Sequence, residues 1–279
     1  MVILACDTSS AACSACLCED GRVVASSFLS LGLTHSQTFM PLVDDLVKRA
    51  GYSYERIDAF ASTVGPGSFT GIRIGVSAVK TMAMMRGKPA VPVSSLEALA
   101  FPFFRQENTL VLPLIDARNR RVFAAGYWGG EGVISERACA WEDVLDEVRK
   151  FLSDKGAARV LLCGNAGDVY AKEISVKERS SFTREFALSD DGGRRNRSEA
   201  PNAQASHCGG KNDIENIGLS VILPHMDCAE IDGRSVAAMA YRSLGTVEES
   251  RWMDVFAPAA LSPEYRAKTA AERARETQS

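Results

Sequence analysis

Histidine is scarce in this chain: there are three in 279 residues, and no two stand four apart. A helix-borne metal pair needs two imidazoles one turn apart, so that arrangement is excluded. His35 is followed at that spacing by Phe39. Positive charge is not in surplus either, with 32 Lys and Arg against 35 Asp and Glu. The resulting net charge of −3 makes the chain a poor nucleic-acid binder on its own. No apolar run reaches the roughly 18–20 residues of a membrane span. The N-terminal run, Met1 to Cys6, is cut short by Asp7, so no signal peptide is expected. Eight cysteines without regular spacing point to reduced thiols and a cytoplasmic protein. Cys6, Cys13, Cys16 and Cys18 lie in runs of small residues, where Cys acts as a small hydrophobe rather than a ligand. No Gly-x-Ser-x-Gly nucleophile motif occurs, and no His–acid pair declares itself. Neither a catalytic residue nor a metal site is expected.

What is present is ample core material, 46% apolar residues, and a repeated pattern. Val2–Cys6, Ala12–Cys18 and Val23–Ser30 read as a meander of three strands separated by Asp7-Thr8-Ser9-Ser10 and Glu19-Asp20-Gly21. Thr34 and Gln37 form a candidate capping box for a helix with Phe39, Leu42, Val43, Leu46 and Val47 as its apolar stripe. Pro41 is expected to bend that helix or shorten its first turn. A strand at Ile57–Val64, a helix at Thr70–Arg86, a strand at Ala90–Val93 and a helix from Ser95 follow. The pattern restarts at Thr109, with strands at Leu110–Ile115 and Arg121–Trp128, a helix at Trp141–Leu152 and a strand at Arg159–Cys163. This predicts an α/β chain of two related subdomains, 1–104 and 105–279. Residues 175–218, rich in Arg, Ser, Asp and Gly and including Arg194 to Arg197, read as a disordered insertion. Order is expected again at Leu219–Leu223, around Ser235–Leu244 and in a charged tail helix from Pro263 to Glu276.

The most specific segment runs from Gly65 to Gly75: Gly-Pro-Gly-Ser-Phe-Thr-Gly-Ile-Arg-Ile-Gly. It joins a strand to a helix without the Gly-Lys-Ser/Thr ending of a P-loop. It also lacks the third glycine of the dinucleotide fingerprint, and Pro66 removes an amide from the turn. Beyond it, Gly71, Gly75, Ala78, Met82 and Met85 recur at steps of four and three. Ile72, Val76, Val79 and Ala83 form a neighbouring stripe. The periodicity fits either a helix with one face for a partner or a helix buried on two sides.

Ala5-Cys6-Asp7-Thr8-Ser9, His35-Ser36-Gln37 with Met40-Pro41-Leu42, the Gly65–Gly75 segment, Ser94-Ser95-Leu96 and Asp116-Ala117-Arg118 occur in this order. In that combination the chain resembles the TsaB (YeaZ) family of the tRNA threonylcarbamoyladenosine pathway, densely over residues 1–128 and faintly after. Gln37 and Arg120-Arg121 depart from the residues common there. The resemblance implies an actin/Hsp70-like (ASKHA) fold. It also implies a non-catalytic scaffold for TsaD, the paralogue that transfers the threonylcarbamoyl group to the adenosine beside the anticodon. TsaE, a small ATPase, would complete the complex, with ATP and a metal held by the partner subunits and none by this chain. tRNA would be met indirectly, and the chain alone would form a homodimer. The implied partner face uses His35, Phe39 and Leu42 of the first helix and the Gly71, Gly75, Ala78, Met82 and Met85 stripe of the second. Gly75→Leu is then expected to weaken pairing without unfolding the lobe.

The rival is an autonomous ATPase or kinase using Asp7 and the Gly65–Gly71 loop. Its nucleotide-proximal residues would be Asp7, Thr8, Ser9, Gly65, Gly67, Ser68, Thr70, Arg73 and Arg118. Against it, the turn Thr8 to Ala12 has no glycine to let a phosphate approach, and Asp7 reads as a cap of its own turn.

Overall fold

The computed structural model describes residues 1–155, 159–167, 169–171, 220–222 and 230–264. Two five-stranded sheets carry the architecture. In the first, β1 (Val2–Asp7), β2 (Cys13–Glu19) and β3 (Arg22–Leu29) form an antiparallel meander. β4 (Ala59–Gly65) and β5 (Ala90–Ser94) extend it in parallel, giving the order β3-β2-β1-β4-β5. The second sheet contains β6 (Thr109–Asp116), β7 (Arg121–Trp128), β8 (Glu131–Ala140), β9 (Arg159–Cys163) and β10 (Ser220–Ile222). Its order, read from β8, is β8-β7-β6-β9-β10, the same topology repeated.

β1 shows why the sequence is apolar at every position. Side chains alternate across a strand. Val2, Leu4 and Cys6 therefore enter the core beneath α1 (His35–Arg49) and α2 (Phe69–Arg86), while Ile3 and Ala5 enter the core between the sheets. β6 repeats the device: Leu110, Leu112 and Leu114 meet α4 (Trp141–Lys155), and Val111 and Ile115 face inward. α3 (Ser95–Ala100) and α5 (Gly233–Gly245) fill the space between the sheets through Leu96, Leu99, Val236 and Met239. The layers thus run helices, sheet, helices, sheet, helix.

Helix starts follow their caps unevenly. Ser68, Ser94 and Asp232 accept from Gly71, Glu97 and Arg234 amides, as capping requires. Thr34 occupies the cap of α1, but its side chain makes no capping bond; its carbonyl accepts from Gln37 and Thr38 amides instead. The expected capping box is not formed. α1 runs through Pro41 without a break.

Two differences from the sequence reading concern topology. β8 was not anticipated: only Ile134 and Cys139 among its ten residues are buried, so no apolar run marks it. The paired glycines Gly129 and Gly130, both at positive φ, were its one visible signal. More consequential, the chain after residue 230 returns to the first lobe. α5 packs on β1, β2 and β5. Ser14 Oγ donates to Ile231 O at 2.9 Å, and the Ala90 amide donates to Phe256 O. Lys80 Nζ donates to Ala259 O and Leu261 O, and the Glu264 amide donates to Val64 O. Assigning all of 105–279 to the second subdomain is corrected by these contacts. The insertion at 175–218, with Arg194 to Arg197, and the tail from residue 265 lie outside the described residues.

Candidate functional site

The first hairpin turn and the glycine loop form one closed unit. Asp7 is fully buried, and its Oδ1 accepts from Ser9 N (3.1 Å), Ser9 Oγ (2.6 Å) and Thr63 Oγ1 (2.5 Å). Burial raises its carboxyl above the ordinary range, while the bonds from Ser9 and Thr63 oppose that shift. Thr8 Oγ1 donates to Gly71 O at 2.7 Å, the Ser68 amide donates to Ser9 O at 2.7 Å, and Ser95 Oγ donates to Ser9 Oγ.

The glycines of the loop serve this contact. A Cβ on Gly67 would stand 2.3 Å from Ser9 O, and one on Gly71 would stand 2.0 Å from Thr8 O. A Cβ on Gly75 would meet Thr8 Oγ1 at 2.4 Å. Gly65, at φ +129, is pressed by Glu264 O of the returning chain. The glycines therefore bring α2 onto the β1–β2 turn. Gly71 and Gly75, expected on a partner face, are buried inside the lobe, and Gly75→Leu would strike the turn itself.

Several amides that could meet an anion in this unit are already committed. Ser68 N serves Ser9 O, Gly71 N serves Ser68 Oγ, Pro66 has none, and Ala12 N is taken by a Glu230 carboxylate oxygen at 3.3 Å. Phosphate cradling needs such amides pointed at the ligand. Asp7, Thr8, Ser9, Gly67 and Ser68 are brought together as a packed structural junction. Thr70 and Arg73 are exposed on the first turns of α2, with the Arg73 guanidinium 3.9 Å from the Phe69 ring centre. Arg118 lies on the β6–β7 turn of the other lobe.

The open surface of the first lobe lies farther along the same helices. Phe39 is 1% exposed and belongs to the core, so its place on the expected partner face is corrected. Leu42, Ala78 and Met82 are half-buried against that core, and Met85 is 78% exposed. Met40, Pro41 and Asp44 of α1 face Met82, Met85 and Arg86 of α2 across a groove completed by Tyr54. Lys48 pairs with Asp44 and Glu55 with Arg86, both at 2.5 Å, at its edges. Met40, Met84 and Phe69 add exposed apolar area. Met40 and Arg86 are not among the residues expected on the partner face, because they flank the buried stripes instead of extending them.

His35 anchors the start of α1. Its Nε2 lies 2.9 Å from Ser10 O. A carbonyl only accepts, so Nε2 carries the proton. Nδ1 has no partner among the described residues.

Among the described residues no group of three or more His, Cys, Asp or Glu could hold a metal. Burial pushes the Cys13 and Cys16 thiols up to about 12, as packing residues rather than ligands. No helix of the described residues is long and apolar enough to cross a membrane.

Residues 31–189 match the family model described as TsaD, tRNA N6-adenosine threonylcarbamoyltransferase. The chain is 40% identical over 139 residues to the tRNA threonylcarbamoyladenosine biosynthesis protein TsaB of Escherichia coli, covering 47% of this chain and 60% of that protein. It is 35% identical over 174 residues to the Bacillus subtilis protein of the same name, covering 62% and 75%. The structure of YeaZ from Pseudomonas aeruginosa superposes with a TM-score of 0.60 at 22% identity, covering 95% of this chain and 99% of that one.

Proposed function

Because this chain belongs to the TsaB (YeaZ) family of tRNA threonylcarbamoyladenosine biosynthesis proteins, we propose that it is the non-catalytic partner of a TsaD-type transferase. The observation that carries this reading is the contrast within the first lobe. Asp7, Thr8 and Ser9 of the hairpin turn are buried and hydrogen-bonded within the lobe, while the α1/α2 groove offers exposed methionines. Methionine side chains are flexible and adapt to a partner helix. Docking there would bias the transferase toward its active arrangement, a shift of population without added chemistry. ATP and a metal would belong to the transferase and to a TsaE-like ATPase. Pairing with a second copy would use the same groove when no transferase is present, and the setting would be the cytoplasm. The enzyme reading, through Asp7 and the Gly65–Gly71 loop, is disfavoured by the committed amides.

Size exclusion with light scattering, on this chain mixed with the TsaD-like protein of its own species, is expected to give a one-to-one complex. Met85→Glu combined with Met40→Lys should weaken it at least about tenfold with an unchanged melting temperature, since both side chains are exposed. ATP alone should not raise the melting temperature of the isolated chain; a tight nucleotide site would raise it by ligand linkage. No complex, with or without ATP and the TsaE-like protein, together with an ATP-induced rise, would return the chain to the enzyme reading.

A further inference from the structure

The two lobes begin with the same device and then diverge. In the first, Asp7 Oδ1 accepts from the amide two residues on; in the second, Asp116 Oδ1 accepts from Arg118 N at 2.7 Å in the same relation. The first turn is buried beneath α2 at Thr8 and Ser9, with Ala11 exposed. The second is exposed at Asp116 and from Arg118 to Arg121, and carries three arginines in four residues.

The second turn is also held in an unusual shape. Arg118, Asn119 and Arg120 have φ of 63°, 53° and 57°, the left-handed region that side chains with a Cβ rarely adopt. Surrounding bonds fix it: Ala117 N to Arg121 O, Arg121 N to Arg118 O, Trp141 N to Arg120 O, and Asp116 N to Asn165 Oδ1 at 3.0 Å. Two arginine heads are committed, Arg120 to Glu142 at 2.7 Å and Arg121 to Ala138 O at 3.1 Å. The Arg118 guanidinium makes no ion pair among the described residues. The fold thus presents one guanidinium with no bonded partner among the described residues, on a hydrogen-bonded exposed turn that also carries the Asp116 carboxylate.

We propose that this turn is a phosphate-contact site for the backbone of the RNA substrate, with Arg118 making the contact. The inference goes beyond partner docking and rests on that reading only in placing the chain in an assembly that handles tRNA. A chain of net charge −3 would not hold RNA through one arginine. Arg118 instead adds one contact to those of the assembled complex.

The test is labelled tRNA titrated with the complex of this chain and its TsaD-like partner, by fluorescence anisotropy at several salt concentrations. Arg118→Ala should raise Kd about three- to tenfold at low salt. It should also make the log Kd against log salt slope shallower by about one. Arg118→Lys, which keeps a point charge, should retain most of the binding. Complex formation by each variant is established first by light scattering. An unchanged Kd and slope for an assembled Arg118→Glu complex would overturn the proposal. Loss of ATP affinity with tRNA binding intact would assign the phosphate to a nucleotide and overturn the RNA contact. Should the wild-type proteins not associate, the docking reading fails. The RNA contact, which needs the assembly, is overturned with it, whereas an assembled complex whose Kd and slope ignore Arg118 overturns the RNA contact alone.

Discussion

Gly71→Ala should lower the melting temperature by about 5 °C, because the added methyl is forced against a backbone oxygen. An open helical site would give the opposite sign, since Ala is favoured over Gly by about 1 kcal/mol in a helix interior. At Gly71 the new Cβ would stand 2.0 Å from Thr8 O, and that oxygen belongs to a turn with little freedom to withdraw. Moving it breaks the Ser68 amide to Ser9 O bond and the Thr8 hydroxyl to Gly71 O bond, both 2.7 Å and in the lobe's interior. Overpacking of this kind, with two buried bonds lost, costs about 3 kcal/mol or more. In a chain of this size that corresponds to the stated shift. Calorimetry on Gly71→Ala beside Ser77→Ala, an exposed site on the same helix, separates the two signs. A stabilised Gly71→Ala would show that α2 does not lie on the hairpin turn.

Asp7 should behave as a structural acid, in a way that a catalytic or metal-holding carboxylate would not. Asp7→Ala leaves Ser9 N, Ser9 Oγ and Thr63 Oγ1 without their shared buried acceptor, a loss of about 3 kcal/mol. Asp7→Asn keeps the Oδ1 acceptor and removes the buried charge, so it should fold with near-native stability. The pH dependence supplies the sign. The folded-state pKa is raised above the ordinary carboxylate value of 3.8, chiefly by burial. A raised acid favours the fold while protonated. Its contribution is full below the unfolded-state pKa and is lost as pH climbs through the folded one. Between pH 4 and pH 7 the wild type should therefore lose more stability than Asp7→Asn. Equal slopes for the two proteins would mean that Asp7 is not buried as described.

Much of the fold was legible because its strands and helices bury continuous or periodic apolar residues. Val2 to Cys6 and Leu110 to Ile115 announce central strands, and Ile72, Val76, Val79 and Ala83 announce the sheet-facing side of α2. The Gly65–Gly75 segment was also legible as a place of close approach. What it approaches was not: a missing Cβ says that something is near, while only the fold says that it is Thr8 and Ser9 rather than another helix. Phe39 was misplaced for a similar reason. The apolar stripe of α1 identifies a buried face, and a partner groove need not extend it; the groove uses Met40, Pro41 and Asp44 beside the stripe. β8, half-exposed, and the segment from Phe256 to Glu264, held by backbone bonds to Ala90 and Val64, have no periodic pattern to read.

That returning segment has a consequence for how the chain reaches its native state during synthesis. The inner face of the first sheet, with Ile3, Ala5, Cys16 and Val91, is completed by α5, whose residues follow more than two hundred positions after the first three of these. Closing so long a loop is slow, and exposed apolar strands invite misassociation while it remains open. The first lobe would thus wait on the ribosome with one face bare until residues near Ile231 emerge and Ser14 finds its acceptor. The second lobe, whose core among the described residues runs from Leu110 to Ala171 with β10 added later at the sheet edge, can largely close beforehand and shield part of that face. The lobe synthesised first is expected to be the last to finish folding.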